Sequence, residues 1–303
     1  MLYNIYGSKV RVVGTDFHIL NLPSTSANSN VLSENDIDIK VDFYKNSLVN
    51  FQDLKDNQTD VNKEYGFYYK KDSCMYEFIS GNRIKVNYFN ELDKTIIYNL
   101  LNYPFAALFY QSGCLCIHAS AVSYENKIFL FPGVSLAGKS TIAAFLLNSG
   151  AKIICEDTCI IRFNSKDSFE ILPSYPLLKI SDEAKKYLHI FQKDDFLYNQ
   201  VKHDRKVYKI NKGFCDDEDL KVDFVIYPEW TQDNESFHEL SFRDSLKSLL
   251  ESSFFSYNDF NQKDFFQQNA SFVKNTKSFI FRRKKGFSSL DYLLMKLQRI
   301  INE

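Results

Sequence analysis

The residues with the clearest capacity for chemistry lie at positions 133–141, where the sequence is GVSLAGKST. This is the G-x-x-x-x-G-K-[ST] pattern of a phosphate-binding loop, whose glycines let the backbone approach a phosphate and whose N–H groups bind it. Lys139 can neutralise the β- and γ-phosphates, and the Ser140 hydroxyl can join the ligands of a magnesium ion. The contacts with a nucleotide that this pattern predicts are Gly133, Ser135, Ala137, Gly138, Lys139, Ser140 and Thr141.

Two adjacent acids, Glu156 and Asp157, follow the apolar run 151–155. If this run is a strand beside the loop, both carboxylates lie at the carboxyl edge of the sheet, next to the phosphates. One carboxylate can then serve Mg²⁺, and the other can take a proton from an attacking hydroxyl. An exposed acidic loop would have the same two residues, but the nearby loop pattern favours the chemical interpretation.

His118 lies in the segment 117–121, in the strand expected before the strand that leads to the loop. It can hydrogen-bond the acidic pair or a phosphate, in which case its protonation state would matter for the chemistry. A lone histidine in a strand is more often a structural residue. Both interpretations remain open.

In this order and spacing, residues 117–119 (Ile-His-Ala), the 133–141 loop and the Glu156–Asp157 pair resemble the HPr kinase/phosphorylase superfamily, and especially its HPr-kinase-related proteins. The nucleotide fold of that superfamily is shared with phosphoenolpyruvate carboxykinases. Residues 172–179 and 204–206 are more weakly similar, and the resemblance spans roughly residues 112–300. It implies an enzyme that transfers phosphate from ATP to a serine hydroxyl of a protein or peptide.

The resemblance also implies roles for individual residues. By it, Lys139 and Ser140 bind nucleotide and metal, and His118 serves the active site with the carboxylate pair. We assign Mg²⁺ to Ser140 and Asp157, and the orientation or deprotonation of the acceptor to Glu156. Arg205 or Lys206 is a candidate phosphate clamp, although a solvated charge run explains these residues at least as well. The catalytic residues expected are His118, Lys139, Glu156 and Asp157.

The sequence departs from the superfamily pattern at one position, and this difference leaves a second function possible. The superfamily usually has two aspartates where this chain has Glu156 before Asp157, and the longer side chain shifts the expected base. The alternative is a nucleotide-binding regulatory or peptide-binding module that does not transfer phosphate. A carboxykinase is disfavoured by the short chain, and GTPases and transporter ATPases by the absence of their Asn-Lys-x-Asp and Ser-Gly-Gly motifs.

The strand-like and helix-like segments around these residues predict an α/β fold, with a mixed sheet that carries the loop. We place a β-rich region at 1–112 and a kinase-like domain at 113–303. A helix over 92–110 should kink or restart at Pro104, and the segments 21–36 and 53–66 should be surface loops. The strands expected are 9–13, 37–43, 75–79, 83–89, 115–122, 127–131, 151–155, 222–227 and 278–282, and the later helices 139–148, 243–251 and 290–301.

Composition limits the partners. The 303 residues contain 37 basic and 38 acidic side chains, so the net charge of −1 argues against broad nucleic-acid binding. Six cysteines without a C-x-x-C pair predict buried reduced thiols, and we expect a cytoplasmic protein without a signal peptide or membrane span. The basic run 282–285 is interpreted as a solvated face rather than a peptide-binding patch. The resemblance also implies a homo-oligomer, without fixing its size.

Overall fold

The computed structural model describes residues 1–15, 38–46, 54–165, 167–200, 205–255 and 262–303. These residues form two compact units, one reaching to Cys116 and the other starting at Ile117. In the described part of the chain, no helix combines the length and the apolar character that a bilayer crossing requires. All six cysteines are buried thiols, as predicted.

The first unit consists of a seven-stranded mixed sheet and two helices. Its strands are β1 (Leu2–Ile5), β2 (Ser8–Val13), β3 (Ile39–Lys45), β4 (Thr59–Val61), β5 (Tyr65–Lys70), β6 (Cys74–Ile79) and β7 (Arg83–Tyr88). They lie in the order β1-β2-β3-β7-β6-β5-β4, and β3 pairs in parallel with both β2 and β7. The described residues of this unit are mostly in strands, and β4 lies inside the segment 53–66, which we predicted to be a loop. Residues 21–36 fall outside the described residues.

The helical segment of this unit divides where the sequence predicts. Helix α1 (Lys94–Leu100) has seven residues and an N-cap at Asp93, whose side chain accepts a hydrogen bond from the N–H of Ile96. Helix α2 (Tyr103–Gln111) then begins with Pro104 in its first turn. Proline is tolerated there because the first N–H groups of a helix have no intrahelical acceptor.

The second unit contains the residues with predicted chemistry. Its strand β8 (Leu115–Ile117) is shared with the end of the first unit, and the elements that follow run to the end of the chain. They are β9 (Ala119–Tyr124), β10 (Lys127–Pro132), α3 (Lys139–Asn148), β11 (Lys152–Cys155), β12 (Cys159–Ser165), β13 (Ser168–Leu172), β14 (Leu177–Ser181), α4 (Asp182–Leu188), β15 (Phe196–Gln200), β16 (Arg205–Lys209), β17 (Phe224–Trp230), β18 (Ser236–Glu239), α5 (Phe242–Ser252), α6 (Gln262–Lys274), β19 (Lys277–Arg283) and α7 (Ser289–Asn302).

A six-stranded mixed sheet in the order β11-β9-β10-β17-β19-β18 forms the centre of this unit. Strand β10 is parallel to β17, which is parallel to β19, so the carboxyl ends of these three strands lie at one edge. Strands β14, β16 and β15 form a smaller antiparallel sheet, and β12 pairs with β13. The prediction of an α/β fold with a mixed sheet is confirmed at this level.

The predicted strand 115–122 is wrong in one respect, because it is interrupted at His118. The N–H of His118 donates to the carbonyl of Ser252 at 2.8 Å instead of continuing a strand ladder. This contact separates β8 from β9 and leaves His118 between them. Periodicity could not show the break, since residues on both sides are apolar and buried.

Helix α3 is fixed to the sheet by the apolar core of the second unit. Ile142 and Leu146 of α3 are fully buried in the same cluster as Phe129 and Phe131 of β10. Burial of this helix face positions the first turn of α3, which follows the 133–138 loop.

We expect Ile142→Ala to lower the free energy of unfolding by roughly 2–5 kcal/mol, because it removes a fully buried side chain and leaves a cavity. Met295→Ala, at a half-exposed position of α7, is the matched control and should change stability by under about 1 kcal/mol. Urea unfolding followed by circular dichroism measures both. Equal effects of the two substitutions would show that α3 is not held by this core.

Candidate functional site

The loop between β10 and α3 occupies the carboxyl end of a central strand. Gly138 is the N-cap of α3 and has φ 94°, a left-handed conformation that favours glycine. Within the loop, the N–H of Ala137 donates to the carbonyl of Val134 at 3.2 Å. This amide is therefore engaged inside the loop, although the sequence pattern predicts that the N–H groups of the loop bind a phosphate.

Lys139 is buried in the first turn of α3, and its ammonium group folds across the loop. Its Nζ donates to the carbonyls of Gly133 at 2.8 Å and Val134 at 2.9 Å. Burial lowers the pKa of Lys139 to about 8, although Asp157 and Glu156 oppose the shift. Lys139 therefore still carries its positive charge through most of the neutral range.

Glu156 directly follows β11 and is almost completely buried, with 2% of its surface exposed. Its Oε1 accepts a hydrogen bond from the hydroxyl of Ser140 at 2.5 Å. Burial, reinforced by the negative charge of Asp157, raises the pKa of Glu156 from 4.5 to about 7. This carboxyl group therefore binds its proton far more tightly than an exposed glutamate does.

Asp157 has the opposite environment although it is the next residue. Its Oδ2 accepts a hydrogen bond from Lys179 Nζ at 2.6 Å, and its Oδ1 lies 3.2 Å from His118 Nε2. Burial by itself would raise the pKa of Asp157, but Lys179 and His118 outweigh it and hold that pKa well below its usual range. The backbone of Asp157 is left-handed, with φ 68°, so the two neighbouring carboxylates face different partners.

The hydrogen-bond partners of the two acids differ from the partners that the expected roles would bring together. We assigned Mg²⁺ to Ser140 and Asp157, but Ser140 is bonded to Glu156, and Asp157 to His118 and Lys179. The sequence could not show which acid has which partner. The two acids are adjacent in one loop, and a loop has no periodicity that predicts the direction of each side chain. Arg205 and Thr141, also predicted, line the same cleft as Ser140.

Three residues of this region escaped the sequence analysis. Lys179, the lone charge in the apolar strand β14, was noted only as part of the segment 172–179. Trp230 ends β17 and belongs to none of the motifs found in the sequence. Arg283 belongs to the run 282–285, and the interpretation of that run as a solvated face is wrong for it, because Arg283 is 1% exposed. The available signal for Lys179 was a single charge among the apolar residues of a strand.

A cleft of about 310 Å³ lies beside the loop and α3. Four cationic side chains line it, which makes it suited to an anionic ligand. They are Lys179, Arg205, Arg283 and Lys285. Asp204 and the rest of 201–204 lie outside the described residues.

Oxygen atoms are the metal-binding groups that the site offers. Among the residues that the structure describes, no three His, Cys, Asp or Glu side chains cluster in the way that an all-protein metal site needs. The Ser140 hydroxyl and the Glu156 carboxylate lie together, and Mg²⁺ is commonly bound by one or two such oxygens with water and substrate phosphates. This donor set fits Mg²⁺.

No protein-family model matches the chain, and no curated protein matches it. Among solved structures, the chain is similar to the HPr(Ser) kinase/phosphatase from Coxiella burnetii, with 10% sequence identity and a TM-score of 0.32. The alignment covers 61% of this chain and 90% of that chain. This is a distant structural likeness, and the functional conclusion rests on the site itself.

The raised pKa of Glu156 predicts a pH dependence of stability. Between about pH 4.5 and 7 the folded protein retains this proton while the unfolded chain loses it, so stability falls as pH rises. Glu156→Gln removes this loss and keeps an acceptor for Ser140. The unfolding free energy of the variant should exceed that of the wild type increasingly over this range, by up to about 3 kcal/mol above pH 7.

Urea unfolding at pH 5, 6, 7 and 8 measures this difference. Glu251→Gln, at an exposed position of α5, is the control and should run parallel to the wild type. A difference between Glu156→Gln and the wild type that does not change with pH would show that Glu156 is not proton-binding in this range.

Proposed function

We propose that this chain is an ATP-dependent kinase that transfers the γ-phosphate, with Mg²⁺, to a serine hydroxyl of a protein or peptide. The observation that carries the proposal is one continuous cluster beside the 133–138 loop. In it, Lys139 crosses the loop, Ser140 bonds Glu156, and Asp157 joins His118 to Lys179. Nucleotide, metal and acceptor each have a matching group within it.

The loop and the first turn of α3 support binding of the nucleotide phosphates. The N-terminus of a helix attracts anions, because its first N–H groups lack intrahelical acceptors and the helix dipole is positive there. Lys139 adds a buried ammonium at this position, and Arg205 lines the adjoining cleft. Together they would hold the β- and γ-phosphates while the loop carbonyls release Lys139 Nζ.

For Mg²⁺ we propose Ser140 and Glu156 as the protein oxygens, in place of Ser140 and Asp157. When bound, the ion would neutralise charge on the β- and γ-phosphate oxygens. Glu156 must lose its proton to serve in this way, and its pKa of about 7 places that loss in the neutral range. Nucleotide binding should therefore strengthen with pH across that range.

Asp157 is the group that we propose for the acceptor. Its side chain is 20% exposed, whereas Glu156 is closed to solvent, so only Asp157 can meet an incoming hydroxyl. The acceptor oxygen forms a bond to the γ-phosphorus, the bond to the β-phosphate oxygen breaks, and ADP leaves. The hydroxyl proton passes to Asp157 and then to water. The low pKa of Asp157 makes it a weak base, so its main contribution would be to orient the hydroxyl, because phosphate transfer depends mainly on positioning and charge neutralisation.

Neutralising substitutions of the two acids should therefore affect different kinetic parameters. Asp157→Asn should lower kcat for phosphate transfer by about 10²–10⁴-fold with little change in affinity for ATP. Glu156→Gln should mainly raise the ATP and Mg²⁺ concentrations required. The assay uses [γ-³²P]ATP with degenerate peptide libraries centred on Ser, Thr or Tyr, and calorimetry measures nucleotide binding separately.

Lys139→Ala is expected to abolish both binding and transfer, and Lys212→Ala, at an exposed position, is the surface control. Equal transfer by the wild type, Lys139→Ala and Asp157→Asn would exclude this mechanism. Tight ATP binding without transfer to any library would instead favour the nucleotide-binding module without phosphotransfer.

Gly138 offers a matched test of the loop. Gly138 and Gly150 both have φ 94°, but only Gly138 lies in the loop beside other side chains, because a Cβ at position 150 would meet open space. Alanine at either position should cost roughly 1–3 kcal/mol of stability through backbone strain. We expect only Gly138→Ala to weaken ATP binding, which calorimetry measures on both variants. Equal loss of affinity in both would mean that the loop is not the binding element.

A further inference from the structure

Arg283 is a buried cation whose hydrogen-bonding capacity is only partly used. It ends β19 with 1% of its surface exposed, and its Nη2 donates to the carbonyl of Gly286. Its Nε and Nη1 find no hydrogen-bond partner in the described part of the chain. Burial lowers its pKa to about 10, which leaves it charged at neutral pH. A buried, partly unsatisfied guanidinium is costly unless an anion completes it.

The unused side of this guanidinium faces the N-terminus of α3. Nη1 of Arg283 would lie 3.5 Å from a Cβ placed on Gly138, the N-cap of this ten-residue helix. The helix end and the guanidinium therefore present positive charge to the same place. Arg205 and Lys285 line the cleft there, against a single lining acid, Glu183.

Trp230 is held in a fixed position against the same cleft. Strands β17 and β19 are parallel and in register, with Trp230 opposite Arg283, and the guanidinium lies 4.6 Å from the indole ring centre. Trp230 Nε1 also donates to the carbonyl of Leu136 in the loop at 2.9 Å. The indole is nevertheless 40% exposed. A large aromatic surface is thus fixed at the cleft and left open to solvent.

We propose that Trp230 and Arg283 form the subsite for the nucleoside part of a nucleoside triphosphate: the base stacks on the exposed indole, and Arg283 binds a phosphate oxygen. A bound anion by itself would explain the unsatisfied N–H groups of Arg283. It would not explain why the Trp230 indole is held by both Leu136 and Arg283 and still exposed to solvent. Stacking on aromatic side chains is a general way of holding a base. This inference rests on the proposed nucleotide binding and specifies how the ligand is recognised.

Trp230 is the only tryptophan of the chain, so the wild-type protein reports on this subsite by itself. The experiment titrates Mg²⁺ with ATP or with inorganic tripolyphosphate and records tryptophan emission and its quenching by acrylamide. Calorimetry gives the affinity for both ligands on the same samples. We expect ATP to quench Trp230 and to shield it from acrylamide, and tripolyphosphate to bind without shielding it.

Variants separate the base from the phosphates. Trp230→Leu should weaken ATP binding roughly tenfold, as loss of base stacking does elsewhere, and leave tripolyphosphate affinity unchanged. Trp230→Phe should retain most of the affinity. Arg283→Lys should weaken both ligands, and thermal unfolding checks that it still folds.

Three results would contradict the proposed subsite, and they differ in what they imply for the kinase function. ATP binding by calorimetry with unchanged emission and acrylamide access would overturn this subsite and leave the proposed kinase function standing. Equal shielding by tripolyphosphate would also overturn it, because no base would then be involved. Failure of ATP to bind at all would overturn both proposals.

Discussion

Removal of two adjacent carboxylates from water, complete for Glu156 and partial for Asp157, is the constraint on which the rest of the site depends. Removing a carboxylate from water costs several kcal/mol unless a proton, a hydrogen bond or a cation compensates it. The protein uses different solutions for the two acids: Glu156 holds its proton and the Ser140 hydroxyl, and Asp157 stays ionised between Lys179 and His118. The strands that supply these partners are thereby tied to the loop.

Under the proposed function, this division of environments would separate the tasks that phosphate transfer requires. Asp157 has a left-handed backbone and its carboxylate lies between Lys179 and His118, and strain of this kind is common where function fixes a side chain. One acid is closed to solvent beside the helix that would bind phosphates, and the other reaches solvent where an acceptor can approach. Metal binding and acceptor orientation therefore need not compete for one group.

Much of the fold and part of the site could be predicted because the signals are local. Apolar residues at helical spacing identify α3, and Pro104 marks the start of α2, since both depend only on near neighbours. The break at His118 could not be predicted, because it depends on a hydrogen bond to Ser252, which is 134 positions later in the chain. Elements between residues 159 and 209 also went unrecognised, since short paired strands carry weak periodicity.

The sequence by itself determined that a lysine and a serine follow a glycine loop at the start of a helix, and that two acids end a nearby strand. Only the tertiary structure decided which acid meets Ser140 and which meets Lys179, because these partners lie 16 and 22 residues away from the acids in the chain. It also decided that Arg283 is buried against Trp230. Pairing of β17 with β19 places these distant residues opposite each other, and no local pattern encodes that register.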